Sequence, residues 1–156
     1  MYSRRQFLSV IGGASTAALL SRAAFAQNFA VTKSEEEWRA QLGDAAFDVM
    51  RNEGTERPFS SPLLNEKRNG TFHCKGCDQA LYSSDTKYDS GTGWPSFWQA
   101  IDGAVGTKPD NSLLMKRTEV HCSRCGSHMG HIFNDGPQPT RKRHCINGIA
   151  MTFKPA

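Results

Sequence analysis

The sequence predicts a mainly β (α+β) domain, an antiparallel β core behind a short helical N-terminal extension. Three observations carry this reading. Capped, helix-patterned sequence is confined to residues 34 to about 58. From about Gly70 onward the chain is glycine-rich and broken by turns into short strand-like runs. Two C-x-x-C knuckles, Cys74-Lys75-Gly76-Cys77 and Cys122-Ser123-Arg124-Cys125, stand 44 residues apart (78 to 121), at strand ends. One ion held by both would tie two distant loops together.

The N-terminal elements follow from local chemistry. Ser34-Glu35-Glu36-Glu37 is a capping box, and Trp38 and Leu42 lie one turn apart beyond it. Gly43-Asp44 interrupts and recaps. Ala45, Ala46, Val49 and Met50 suggest a second short helix, ended by Asn52-Glu53-Gly54. Thr55-Glu56-Arg57-Pro58-Phe59 reads as an extended arm, because proline and its predecessor avoid helix. The expected strands are Ala80 to Tyr82, Phe97 to Ile101, Ser112 to His121, His131 to Phe133 and Arg143 to Phe153. If the last is one continuous strand, Arg143, Cys145, Asn147, Ile149, Met151 and Phe153 share a face.

The first 26 residues read as an address rather than as fold. Ser3-Arg4-Arg5-Gln6-Phe7-Leu8 is a twin-arginine pattern, and an uncharged stretch from Val10 to Leu20 follows, too short to span a bilayer. Ala24-Phe25-Ala26 is a small-x-small cleavage site. The expected organisation is therefore a signal peptide, 1–26, then one domain, 27–156, with a helical and extended arm over 27–69 and a β core over 70–156. Export by the twin-arginine route, to the periplasm, goes with it. Without Arg4, Arg5 and Arg22 the formal charge falls from +4 to +1, and four metal-bound thiolates would bring the domain near neutrality. That leaves no electrostatic footprint for nucleic acid, and no segment for membrane insertion.

Four of the five cysteines form the knuckles, Cys74, Cys77, Cys122 and Cys125, with the spacing of a closed structural zinc site. Two disulfides are the alternative, although bridges directly across C-x-x-C are usually redox-active. Cys145 is left over, in Arg143-His144-Cys145-Ile146-Asn147. It is either a buried bystander or a nucleophile, and Arg143 or nearby histidines would favour its thiolate. His128 and His131 are the candidates, but in a regular strand they face opposite ways and need Gly130 to bend the chain. His73, His121 and His144 read as surface or supporting residues. Ser90-Gly91-Thr92-Gly93-Trp94-Pro95-Ser96-Phe97-Trp98 is either a core corner or an aromatic wall suited to a thioether methyl.

Taken in order, C-x-x-C, SGTGWPSFW, C-x-x-C, HMGHIFNDGP and RHCIN closely resemble the B-type methionine sulfoxide reductases, from about Ser34 to Phe153. The resemblance implies a β-tent of two antiparallel sheets, one structural Zn2+ on the four knuckle cysteines, and reduction of the R epimer of methionine sulfoxide. It implies Cys145 as the nucleophile and Trp94 and Phe133 as substrate contacts. His128, His131 and Asn147 would hold and protonate the sulfoxide oxygen, and Arg143 would favour the Cys145 thiolate. Thr92 stands where many relatives carry a resolving cysteine, so an external thiol, such as a thioredoxin-like protein, is the expected reductant. The expected substrates are methionine-sulfoxide-containing proteins or free methionine sulfoxide. The rivals are a non-catalytic zinc-ribbon binding module and a C-x-x-C thiol oxidoreductase.

Overall fold

A computed structural model describes residues 28–112 and 115–156. The signal peptide expected over 1–26 lies outside the described residues. Two helices lead, α1 (Glu35–Leu42) and α2 (Asp44–Arg51). Ser34 caps α1 with both bonds of the capping box, and Gly43, at φ 76°, separates the helices and sits at the N-cap of α2. Such a cap stabilises a helix by about 1 kcal/mol. Their apolar faces bury Trp38, Leu42, Phe47, Val49 and Met50.

The helices also clamp the knuckles. Gln41 Nε2 donates to Gly76 O at 2.9 Å, and Arg51 Nη1 donates to Cys125 O at 3.2 Å. The helical extension is thus part of the β core's support.

The β core holds two antiparallel sheets. One has three strands in the order β2 (Ala80–Ser83), β1 (Gly70–Cys74), β9 (Met151–Pro155). The other has six, in the order β3 (Lys87–Tyr88), β4 (Ser96–Phe97), β8 (Arg143–Ile146), β7 (His128–Phe133), β6 (Arg117–Cys122), β5 (Val105–Asp110). Phe72 of the smaller sheet meets Phe97 of the larger with ring centroids 5.0 Å apart, and Tyr82 stacks on Phe97 at 4.3 Å. Val120 and Ile146, on that same face of the larger sheet, are fully buried. One face therefore belongs to the core, and the other is free to carry polar groups.

The sequence expectation needs correcting in three places. Arg143 to Phe153 is not one strand: β8 ends at Ile146, a 3-10 turn spans Gly148–Ala150, and β9 joins the other sheet. Asn147 is held at the break because its N–H donates to Met129 O at 2.8 Å, so the face shared from Arg143 to Phe153 does not exist. Strand structure near 97 stops at Phe97, and the strand expected from Ser112 begins at Arg117. Finally, β1, β3 and β5 were not foreseen. β5 reads KPD at its end, residues with weak strand preference, and pairing with β6 overrides that preference.

Candidate active site

Alternation along the six-stranded sheet gathers the chemistry on its outer face. Cross-strand register sets His131 opposite Cys145 and Phe133 opposite Arg143. It also sets Glu119 opposite His131 and Lys108 opposite Glu119. Directly opposed residues share a face, so these side chains lie together although they come from four strands.

His128 joins them through a bulge. Val120 pairs with Gly130 but His121 pairs with His128, leaving Met129 as the extra residue of β7. The bulge restores the facing that regular alternation denies, and the His128 and His131 rings stand edge to face, 5.4 Å between centroids. Gly130 is required for this packing, because a side chain there would collide with the carbonyl oxygen of Cys145. The bulge also turns Met129 O toward Asn147, which donates to it from Nδ2 at 3.1 Å.

A cavity of about 160 Å³ is lined by Cys145, Trp94, His131, Phe133, Asn147, Arg117, Gly130 and Thr55. Among the described residues, three larger cavities, of about 700, 590 and 500 Å³, are lined by neither a cysteine nor an imidazole. Of the residues expected at the site, Cys145, Trp94, His131, Phe133 and Asn147 line this cavity directly. Arg143 lies beside it, its guanidinium 4.4 Å from the Phe133 ring centre and doubly bonded to Asp135 at 2.8 and 2.9 Å.

His128 lies behind it, with Nδ1 2.8 Å from Glu119 Oε1, and lines an adjoining polar cavity of about 150 Å³. His121 and His144 are buried rather than on the surface, because His121 packs edge-on to Phe29 and His144 sits 3.2 Å from the Tyr82 hydroxyl.

Electrostatics set the protonation states. Burial pushes the Cys145 thiol above its ordinary value, and the Arg143 charge and hydrogen bonding from Thr92 pull it down without overcoming burial. The resting group is therefore a thiol. Burial also lowers the pKa of His131, leaving a neutral imidazole near pH 7. Its Nε2 lies 2.8 Å from Asp110 Oδ2. Hydrogen bonds from Ser112 and His131 hold the Asp110 carboxyl far below the usual range. Facing an ionised carboxylate, Nε2 carries the proton, which leaves Nδ1 as a base. For Glu119, burial acts to raise the pKa, but bonds to His121, His128 and Lys108 outweigh it and keep the group ionised.

Sequence reasoning missed five supporting residues: Thr55, Glu56, Asp110, Arg117 and Glu119. Arg117, Glu119 and His121 alternate with period two, a signal legible in principle. Glu56 had none. Its N–H donates to Asn147 Oδ1 at 3.0 Å, its carbonyl accepts from Trp94 Nε1 at 3.1 Å, and its carboxylate accepts from Ile149 N at 3.1 Å and from Gly148 N. Those contacts span up to 93 residues of chain.

The knuckles meet elsewhere. The sulfurs of Cys74, Cys77, Cys122 and Cys125 all lie within 4.8 Å of one another. Cys74 to Cys125 is 3.6 Å and Cys77 to Cys122 is 3.5 Å, far beyond a disulfide bond of about 2.05 Å. A tetrahedral ion with bonds of about 2.3 Å would set its sulfurs about 3.8 Å apart, so the four could hold one metal ion. Both knuckles turn alike, Asp78 N donating to Cys74 O at 2.8 Å and Gly126 N to Cys122 O at 2.9 Å.

Comparison with known proteins gives the family. Residues 42–155 match the family model described as SelR domain. The chain is 55% identical over 126 residues to "Peptide methionine sulfoxide reductase MsrB" of Methanosarcina barkeri, covering 80% of this chain and 89% of that one. The protein of the same name from Pseudomonas putida is 51% identical over 126 residues, 80% of this chain and 95% of its own. That of Leptospira interrogans is 47% identical over 128 residues, 81% of this chain and 98% of its own.

Proposed function

This chain belongs to the SelR-domain family, and from that premise we propose that it reduces methionine sulfoxide, in its R configuration, to methionine. One observation carries the reading most of the way. Cys145 stands apart from the four-cysteine cluster, directly opposite His131 and in one small cavity with Trp94 and Asn147. A thiol oxidoreductase using a knuckle pair would need those sulfurs free of the cluster they share.

The chemistry balances on these residues. His131 Nδ1 takes the Cys145 proton, and the imidazolium so formed is stabilised by Asp110. The thiolate attacks the sulfoxide sulfur. A transient S–S bond forms; as the oxygen passes to Cys145, that bond and the S–O bond of the substrate break, an S–O bond forms at Cys145, and the proton goes to that oxygen. Methionine sulfur is reduced by two electrons, and Cys145 is oxidised by two, to a sulfenic acid. The remaining Nδ2 hydrogen of Asn147 is a donor for the departing oxygen, since its other polar positions are taken by Glu56 and Met129. Trp94 and Phe133 suit the substrate methyl and thioether. The protonation state of Cys145 at rest supports proton transfer as part of the step rather than a standing thiolate.

Recycling needs two external thiols: the first forms a mixed disulfide and water, the second releases Cys145 and an external disulfide. The knuckle cysteines hold a structural Zn2+, whose role is to fix both loops and the helices clamped to them. Repair of oxidised proteins is the physiological setting. With residues 1–26 as a twin-arginine signal, the enzyme works outside the cytoplasm, in the periplasm. Steady-state reduction of each epimer with several thiol donors tests this. The R epimer alone should be turned over, fastest with a thioredoxin-like dithiol protein; turnover of the S epimer, or of neither, counts against it.

A further inference from the structure

The Cys145 cavity, at about 160 Å³, equals about five water volumes. That is room for a sulfoxide group, its methyl and the adjoining methylenes. On the other side of the Gly91–Gly93 loop runs a groove of about 590 Å³, lined by Phe59, Leu64, Lys87, Tyr88, Gly91 and Gly93 among others. The two are neighbours: Gly93 lines the groove, and the next residue, Trp94, lines the cavity.

Phe59 is the unusual wall. Its side chain is 70% exposed, yet its backbone is held in the left-handed region at φ 62°, which a bulky residue adopts only at a cost. What holds it is a 2.7 Å hydrogen bond from its N–H to Gly93 O. Its ring lies against Gly93, where an added Cβ would come within 2.9 Å of the ring. An aromatic ring kept both exposed and fixed offers contact area with little ordering cost. Opposite it, β3 is an edge strand with no strand partner on its outer side among the described residues. Free edges pair with extended chains.

We infer that this groove receives the polypeptide segment adjoining an oxidised methionine, with Phe59 and the β3 edge as its contacts, while the oxidised side chain enters the Cys145 cavity. The inference rests on the methionine sulfoxide reading. It makes Phe59 a determinant of preference for oxidised protein over the free amino acid, and it takes the occupant to be substrate rather than reductant, because the groove wall at Gly93 is one residue from Trp94 in the cavity that holds the side chain.

The test compares the full chain with Phe59→Asn, which tolerates the left-handed backbone without the ring. Substrates are free methionine sulfoxide and an end-blocked pentapeptide with central methionine sulfoxide, each with dithiothreitol. The variant should lose about tenfold in kcat/KM for the peptide and nothing for the free amino acid. An equal loss on both, or none on the peptide, overturns the inference. A loss that appears only when a thioredoxin-type protein replaces dithiothreitol assigns the groove to the reductant and also overturns it. If the unaltered chain reduces neither substrate, the underlying reading falls, and the groove with it. As a second arm, the pentapeptide added to Cys145→Ser should shift the amide resonances of Phe59 and Tyr88, and free methionine sulfoxide should not. Unmoved resonances contradict the inference.

Discussion

The indole Nε1 of Trp94 donates a 3.1 Å hydrogen bond to the main-chain oxygen of Glu56. The same residue's N–H holds Asn147 Oδ1, and its carboxylate receives the N–H groups of Gly148 and Ile149 at the break after β8. One residue of the extended arm therefore fixes an aromatic wall, an amide donor and the turn that separates the two sheets.

Glu56→Gln keeps one acceptor and strands the other N–H, a cost of about 1–3 kcal/mol. Displacement of Trp94 and Asn147 should lower kcat by about tenfold to a hundredfold. Burial raises the Glu56 pKa above its ordinary value, with its two backbone hydrogen bonds pulling it back in part. A raised folded-state pKa gives stability that is present below the unfolded value and lost as pH rises through the folded one. Wild type should accordingly gain stability relative to Glu56→Gln as pH falls from 7 toward 4, by denaturant unfolding at each pH. A difference independent of pH would contradict this.

Arg143 is predicted to tune Cys145 rather than to ionise it. Its positive charge lowers a thiol pKa that burial has raised, so Arg143→Gln should raise that pKa further. With the knuckle thiols on metal, alkylation by iodoacetamide reads Cys145. The rate at pH 8 should fall by about tenfold in the variant, and the midpoint of its pH profile should move up from a wild-type value that burial already holds above that of an ordinary thiol. A downward move would contradict the role.

Removal of the metal should act on the fold first. Cys74→Ser, or a strong chelator, should release one zinc ion per chain and lower the thermal midpoint. The loosened contacts of Gln41 and Arg51 with the knuckles should show as faster exchange of α1 and α2 amides. A metal-free chain with unchanged melting would rule out a structural ion.

The capping box, both knuckles, the isolation of Cys145 and the pairing of Arg143 with Cys145 on one face were legible because each depends on neighbours in sequence. Period two works inside β8 and fails at Asn147, where Met129 and Glu56 capture the chain by contacts 18 and 91 residues away. The joint reach of His128 and His131 turned on one extra residue in β7, which register with β6 decides and β7 alone does not. Asp110 escaped notice because its importance comes from β5 lying beside β6 and bringing its carboxylate to His131. Long-range pairing, not composition, places the acid and the bases.

The central claim is that Cys145 takes the oxygen of methionine sulfoxide. It is tested most directly by a single turnover without reductant, trapped with dimedone and read by mass spectrometry alongside released methionine. One methionine per chain and one dimedone adduct, on Cys145, with zinc retained and no intramolecular disulfide, is the predicted result; Cys145→Ser should give neither product. Methionine release by Cys145→Ser, or a disulfide between Cys145 and a knuckle cysteine with loss of zinc, would contradict the account.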